Sequence, residues 1–178
     1  MPVSYEHIFG PVLSRRLGVS LGIDVTPHKT CSLDCVYCEC GKTTCLTADR
    51  KEFVPLDRVI HELSDYFQTH EDPDYITFSG SGEPTLYTKL KEVMAFIKQT
   101  KPDIRMAVLT NATLFNDPDV CTTLLAADRV VPSLDAATRD AFERINRPAA
   151  DVDLAGMIQG MADFSSEYEG EFFLEVMI

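Results

Sequence analysis

Apolar residues along this chain alternate between short, nearly continuous runs and stripes spaced three or four residues apart. The runs predict strands at 19–26, 75–78, 104–110, 129–134 and 172–178. Pro27 ends the first run. The third has the pattern of a strand buried on both faces. Pro132 lies near the end of the fourth, where a missing ladder donor costs least. The stripes predict helices between them. Asp57 can N-cap one that buries Ile60, Leu63 and Phe67. Leu86, Leu90, Val93, Met94 and Ile97 mark a second, with Lys89, Lys91 and Glu92 turned away and Lys101–Pro102 as its stop. Asp117–Pro118 opens a third over Val120, Cys121 and Leu124. Two more pieces follow, carried by Ala141, Phe142 and Ile145, then by Leu154, Met157, Ile158 and Met161; Met157 and Met161 read as core.

Strands alternating with helices predict an α/β fold, a right-handed parallel sheet of about five βα units. In a barrel or an open sheet of this kind, the carboxyl ends of the strands carry the site. The Cys-rich segment 27–54, the turn Ser79–Gly80–Ser81–Gly82–Glu83–Pro84, Thr110–Asn111 and Ser133–Asp135 all follow predicted strands. They are therefore expected on one rim. Segment 27–54 has turn residues and no sustained period, so it reads as a long loop, and loops of that length are usually functional. The apolar run at the end of the chain predicts an incomplete chain with further strands, or else an edge that another chain covers.

The 178 residues suit one domain, and 45% apolar with 25% charged residues excludes disorder as the main state. No apolar run approaches the roughly 20 residues that span a bilayer, so no membrane partner is expected. The opening MPVSYEHIFGPVLSRR lacks the order of a signal peptide, which predicts a cytoplasmic location. A net charge of −12 disfavours extended nucleic-acid binding, although Arg15–Arg16 leaves a local basic spot. Those two arginines read equally well as partners of the many carboxylates or as substrate ligands.

Five of the six cysteines, Cys31, Cys35, Cys38, Cys40 and Cys45, fall within fifteen residues. Thiols crowded this closely without an export signal point to metal or redox chemistry. Cys31, Cys35 and Cys38 form a C-x3-C-x2-C array that can ligate three irons of a [4Fe–4S] cube and leave the fourth open. The alternative is a zinc module with Cys40 or Cys45 as fourth ligand. Cys40 and Cys45 otherwise read as spare thiols or as ligands of a second centre, and Cys121 as a small core residue. The four histidines show no ligand spacing, and only His28 lies near the cysteine loop.

The array, with Tyr37 just before its third cysteine and a predicted strand in front, resembles the radical SAM superfamily. Phe9–Gly10–Pro11, Ser14–Arg15–Arg16–Leu17–Gly18 and Ser20–Leu21–Gly22–Ile23–Asp24 are similar to a branch of uncharacterised iron–sulfur oxidoreductases, which distantly resemble the archaeal wyosine-type tRNA synthetases. The resemblance runs from Phe9 to the terminal strand. It implies a partial (β/α) barrel, with 1–178 as one core domain incomplete at its C-terminus and 27–54 as the cluster-binding loop. It further implies a [4Fe–4S] cluster on Cys31, Cys35 and Cys38 whose open iron chelates S-adenosylmethionine. Tyr37, Gly80, Ser81, Gly82 and Glu83 would lie against that cofactor, although Ser81 interrupts the family's glycine pair. Asn111, Ser133 and Asp135 occupy strand ends from which relatives reach its ribose or carboxylate. Glu83 reads equally as a helix-start carboxylate. The implied activity is reductive cleavage of S-adenosylmethionine to a 5′-deoxyadenosyl radical that takes hydrogen from an unidentified substrate. A reducing partner such as flavodoxin or ferredoxin would supply the electron. The alternatives are a non-catalytic iron–sulfur or zinc module that transfers electrons or binds a partner, and, for the substrate, a tRNA base.

Overall fold

A computed structural model describes residues 5–177. Its main sheet has six strands in the order β1-β2-β5-β6-β7-β8. These are β1 (Ile8–Ser14), β2 (Gly18–Ile23), β5 (Tyr75–Phe78), β6 (Arg105–Thr110), β7 (Arg129–Pro132) and β8 (Glu171–Phe172). Every pair from β2 onward is parallel, whereas β1 runs antiparallel to β2. Helices α1 (Leu56–Thr69), α2 (Leu90–Thr100), α3 (Pro118–Leu124), α4 (Arg139–Ile145) and α5 (Leu154–Glu167) separate the parallel strands. The expected α/β alternation is therefore present, in the form of a parallel sheet with one antiparallel edge.

The sequence pattern did not reveal β1. Gly10 and Pro11 interrupt its apolar run, and a proline argues against a central strand. The edge position resolves the conflict, because the register with β2 shifts between Phe9 and Val12 and no ladder bond is asked of Pro11. The Phe9 ring packs against Gly22 of β2, where a β-carbon would collide with it.

Two helices differ from their expected frames. Helix α1 begins after Pro55, and Asp57 sits in its first turn without capping it. Its buried side chains are Val59, Leu63 and Tyr66, so the inward face is turned by one residue from the expected Ile60, Leu63 and Phe67. Tyr5, whose hydroxyl donates to Asp65, packs beside Tyr66 and helps fix that rotation. Leu86 belongs to a separate 3-10 turn, Pro84–Leu86, and α2 starts only at Leu90. The stripe itself is as expected: Leu90, Val93, Met94 and Ile97 are buried, each contributing roughly 1.5–3 kcal/mol by leaving water. Helix α3 is capped by Asp117, whose carboxylate accepts the Asp119 N–H.

The last predicted strand is much shorter than expected. Only Glu171–Phe172 pairs regularly with β7, although Phe173 and Glu175 still donate backbone N–H groups to Val130 and Pro132. Phe173, Leu174, Val176 and Met177 are exposed beyond it, while Ile178 lies outside the described residues. The Cys-rich loop also holds more order than its sequence predicts, with Thr30–Cys31 (β3) pairing in parallel with Cys45–Leu46 (β4). Among the described residues, no helix is long and apolar enough to cross a membrane.

The registers align Ile23 with Phe78, Phe78 with Val108, and Thr110 with Pro132. The carboxyl ends of β2, β5, β6 and β7 therefore open along one rim. The cysteine loop lies across it.

Candidate functional site

The cysteine loop is held in place by backbone bonds made far along the chain. Asp34 and Val36 donate N–H groups to the carbonyls of Asn146 and Ile145 at the end of α4, each at 2.9 Å. Thr43 closes the loop on itself, with its N–H to Asp34 Oδ1 at 2.7 Å and its hydroxyl to the Leu33 carbonyl at 2.7 Å. The Thr30 carbonyl accepts the Glu83 N–H at 3.1 Å, which joins the loop to the turn after β5. Gly82 allows that approach. A β-carbon there would collide with the Thr30 carbonyl and the Thr26 hydroxyl.

This arrangement encloses a cavity of about 270 Å³ on the rim. Cys31, Cys35, Cys38 and Tyr37 form one wall; Gly80, Gly82, Glu83, Asn111, Ser133 and Asp135 come from the strand ends opposite. The rim convergence expected from the sequence therefore holds for ten of the eleven candidate residues. Ser81 is the exception. Its N–H and hydroxyl both bind Asp24 Oδ2, at 2.8 and 2.9 Å, and it does not line the cavity. A larger cleft of about 770 Å³, lined by Asp34, Arg139 and Arg147 among others, contains none of the cysteines.

Each cysteine of the array receives one side-chain N–H. Asn111 Nδ2 is 3.4 Å from Cys31 Sγ, Asn146 Nδ2 is 3.3 Å from Cys35 Sγ, and Lys29 Nζ is 3.0 Å from Cys38 Sγ. Lys29 and Asn146 carried no sequence signal, because neither belongs to a spaced motif. Burial pushes the Cys31 thiol up to about 12, helped by the negative charge of Glu83. Burial also raises the Cys35 thiol, against the Asn146 and Tyr37 hydrogen bonds.

Glu83 is fully engaged by the protein. Its Oε1 accepts from Thr85 N at 3.0 Å, Thr85 Oγ1 at 2.7 Å and Thr110 Oγ1 at 2.6 Å, while Oε2 accepts from Asn111 N at 2.7 Å. It caps the 3-10 turn and ties that turn to the loop after β6. Burial still dominates and raises its carboxyl above the ordinary range. Tyr37 donates its hydroxyl to Asp135 and accepts from Asn146 Nδ2 at 3.2 Å. Burial, followed by the Asp135 contact, raises its pKa. The other carboxylate oxygen of Asp135 accepts the Met177 N–H at 2.8 Å. Among the described residues, Asn146 Oδ1 is buried and has no hydrogen-bond partner.

Cys40 and Cys45 are exposed and lie outside the cavity. Cys121 packs against the core, as expected, with its thiol toward the Phe115 carbonyl. Among the described residues, no three His, Cys, Asp or Glu side chains converge closely enough to hold a single ion. Arg16 pairs with Glu175 at 2.5 Å, one of the two roles its sequence allowed.

Residues 25–155 match the family model described as the radical SAM superfamily. The chain belongs to that superfamily. A UPF0026 protein of Synechocystis is 40% identical over 179 residues, covering all of this chain and 66% of its own length. The curated relatives are longer, and the chain spans between 25% and 66% of the first two. Among solved structures, native anSMEcpe with bound AdoMet superposes with a TM-score of 0.63 at 19% identity, covering 86% of this chain and 42% of that one. TYW1 with a lysine–pyruvate adduct superposes at 0.57 and 17% identity, covering 88% and 54%. The radical SAM fold thus accounts for the parallel sheet and for the rim on which the cysteines sit, and a zebrafish (Danio rerio) S-adenosyl-L-methionine-dependent tRNA 4-demethylwyosine synthase TYW1, 23% identical over 81% of this chain and 21% of its own length, agrees with the distant wyosine-type resemblance.

Proposed function

We propose that this chain carries a [4Fe–4S] cluster on Cys31, Cys35 and Cys38, with S-adenosylmethionine beside it, as the core of a radical enzyme. The observation that carries this reading is the cavity in which three thiols, each met by a separate N–H donor, face the Gly80–Gly82 turn across the rim. The donor set fits such a group. Three sulfurs on one wall, with Cys40 and Cys45 exposed outside the cavity, fall one short of the four protein ligands of a structural zinc site and match a three-cysteine iron–sulfur attachment. When bound, the cluster supplies one electron for cleavage of S-adenosylmethionine to methionine and a hydrogen-abstracting 5′-deoxyadenosyl group.

The residues of the chain position and shield. Gly82 lets the turn after β5 close against the cysteine loop, and Glu83 holds Asn111 at the cavity wall. Tyr37, clamped between Asp135 and Asn146, stands in the cysteine wall of the cavity. A second hollow of about 310 Å³ adjoins the cavity at Leu109 and Glu175 and is lined by Arg16, Arg129 and Phe173; it offers room for substrate. The charge of −12 favours a small molecule or peptide over tRNA as substrate, and a reducing partner such as flavodoxin or ferredoxin would supply the electron.

The test is anaerobic reconstitution with iron and sulfide, then dithionite and S-adenosylmethionine. Release of 5′-deoxyadenosine by the native chain, and its absence with Cys35→Ala, is the expected result. A reconstituted cluster that exchanges electrons and leaves S-adenosylmethionine intact would instead indicate a carrier.

A further inference from the structure

The three N–H donors around the cysteines are not alike. Asn111 and Asn146 are neutral amides, whereas Lys29 brings a full charge. Lys29 is only 2% exposed, and its ammonium has Cys38 Sγ as its side-chain partner. Among the described residues it takes part in no ion pair with a carboxylate, although the chain carries 28 acidic side chains. A buried cation without an anion is costly. The position is also held against backbone preference, since Lys29 has φ of +56°, a left-handed conformation that a side chain disfavours. The loop enforces it: the Lys29 carbonyl accepts the Thr44 and Cys45 N–H groups at 3.0 and 3.1 Å, and its own N–H points to Ser81 Oγ at 3.4 Å. The fold thus places an ammonium against one sulfur of the array, with no carboxylate at ion-pair distance among the described residues.

The compensating anion is then the metal assembly itself. Three thiolates outweigh the charge of an oxidised cubane core, and one further electron makes the assembly more negative still. A fixed cation in hydrogen-bond contact with a ligating sulfur stabilises the reduced form more than the oxidised one. Hydrogen bonds to sulfur and local charge are established levers on such potentials.

We infer that Lys29 is a positioning residue that raises the reduction potential of the cluster by holding its ammonium on Cys38 Sγ. The inference rests on the cluster reading above. It concerns the cluster before S-adenosylmethionine binds, so it is separable from catalysis.

The experiment is an EPR-monitored redox titration of the anaerobically reconstituted chain, first without S-adenosylmethionine and then, as a control arm, with it. Native protein is compared with Lys29→Met, Lys29→Gln and Lys29→Arg. The methionine variant should keep its iron, sulfide and absorbance but become at least tenfold harder to reduce, a fall of about 59 mV for one electron. The glutamine variant should fall part of the way, and the arginine variant should stay near the native value. If the methionine variant fails to assemble a cluster, the glutamine variant decides, by a potential below that of the native and arginine proteins. Native potentials in both neutral variants would overturn the inference. So would a shift that emerges only with S-adenosylmethionine present, which would make Lys29 a cofactor ligand. Loss of the cluster from all three variants would equally overturn it, in favour of a structural role. Native protein that forms no cluster at all would overturn the cluster reading, and this inference with it.

Discussion

Glu83 accepts the backbone N–H of Asn111 at 2.7 Å and so links the turn after β5 to the loop after β6 at the mouth of the cavity. The same carboxylate caps the Pro84–Leu86 turn through Thr85. A motif glutamate that looks like a ligand in the sequence is thus occupied in holding two strand ends together.

Removing Glu83 should therefore act on stability first. Glu83→Ala leaves the Thr85 and Asn111 N–H groups and two hydroxyls short of an acceptor, at a cost of about 2 kcal/mol or more. Urea unfolding would measure it. Burial raises the Glu83 pKa above its ordinary value of 4.5, so the folded state holds that proton more tightly than the unfolded chain does. Its contribution is complete below that ordinary value and is lost as pH rises through the raised one. Glu83→Gln, which cannot ionise, should accordingly gain stability relative to the native chain as pH increases across this window.

Gly82→Ala should disturb the cysteine loop through the backbone. The added methyl meets the Thr30 carbonyl, one residue before Cys31, so the loop must shift. A loss of roughly 1–3 kcal/mol is expected, together with reduced iron uptake. Thermal melting and iron analysis on one preparation would show whether the two fall together.

Tyr37→Phe tests the clamp over the cavity. It removes the hydroxyl shared by Asp135 and Asn146 but keeps the ring. The expected cost is about 1 kcal/mol, with iron content unchanged. A fall in iron equal to that of Cys38→Ala would contradict this role.

Acid should loosen the β7–β8 edge. The hydrogen bond from Arg105, then that from Arg129, holds the Glu171 carboxyl below its usual 4.5. Its stabilising contribution is present above 4.5 and lost as pH falls through the lowered value. Amide-exchange protection at 171–175, taken relative to the intrinsic rate at each pH, should fall over that acid range, and Glu171→Gln should show the lower protection at neutral pH as well.

The sequence made the parallel sheet, the rim and the cysteine array legible because each rests on local periodicity or fixed spacing. Residues 90–97 show it well, with a stripe that closes on the core as its spacing requires. Strand β1 was hidden because Gly10 and Pro11 break its period, and only its edge position makes them tolerable. The face of α1 was displaced by one residue because apolar side chains surround that stretch, and packing against Tyr5 selects among them. Lys29 and Asn146 could not be read at all. They reach their sulfurs through a left-handed loop residue and a helix C-cap 111 residues from Cys35, neither of which leaves a pattern in one sequence.

The central claim is that three particular cysteines hold the iron. Its most direct test is iron and acid-labile sulfide per chain after anaerobic reconstitution, across single alanine variants of the five clustered cysteines. The account predicts about four irons in the native chain, a severe loss with Cys31→Ala, Cys35→Ala or Cys38→Ala, and native content with Cys40→Ala and Cys45→Ala. Colourless, iron-free native protein would contradict it, as would a dependence on Cys40 or Cys45 as strong as that on Cys35.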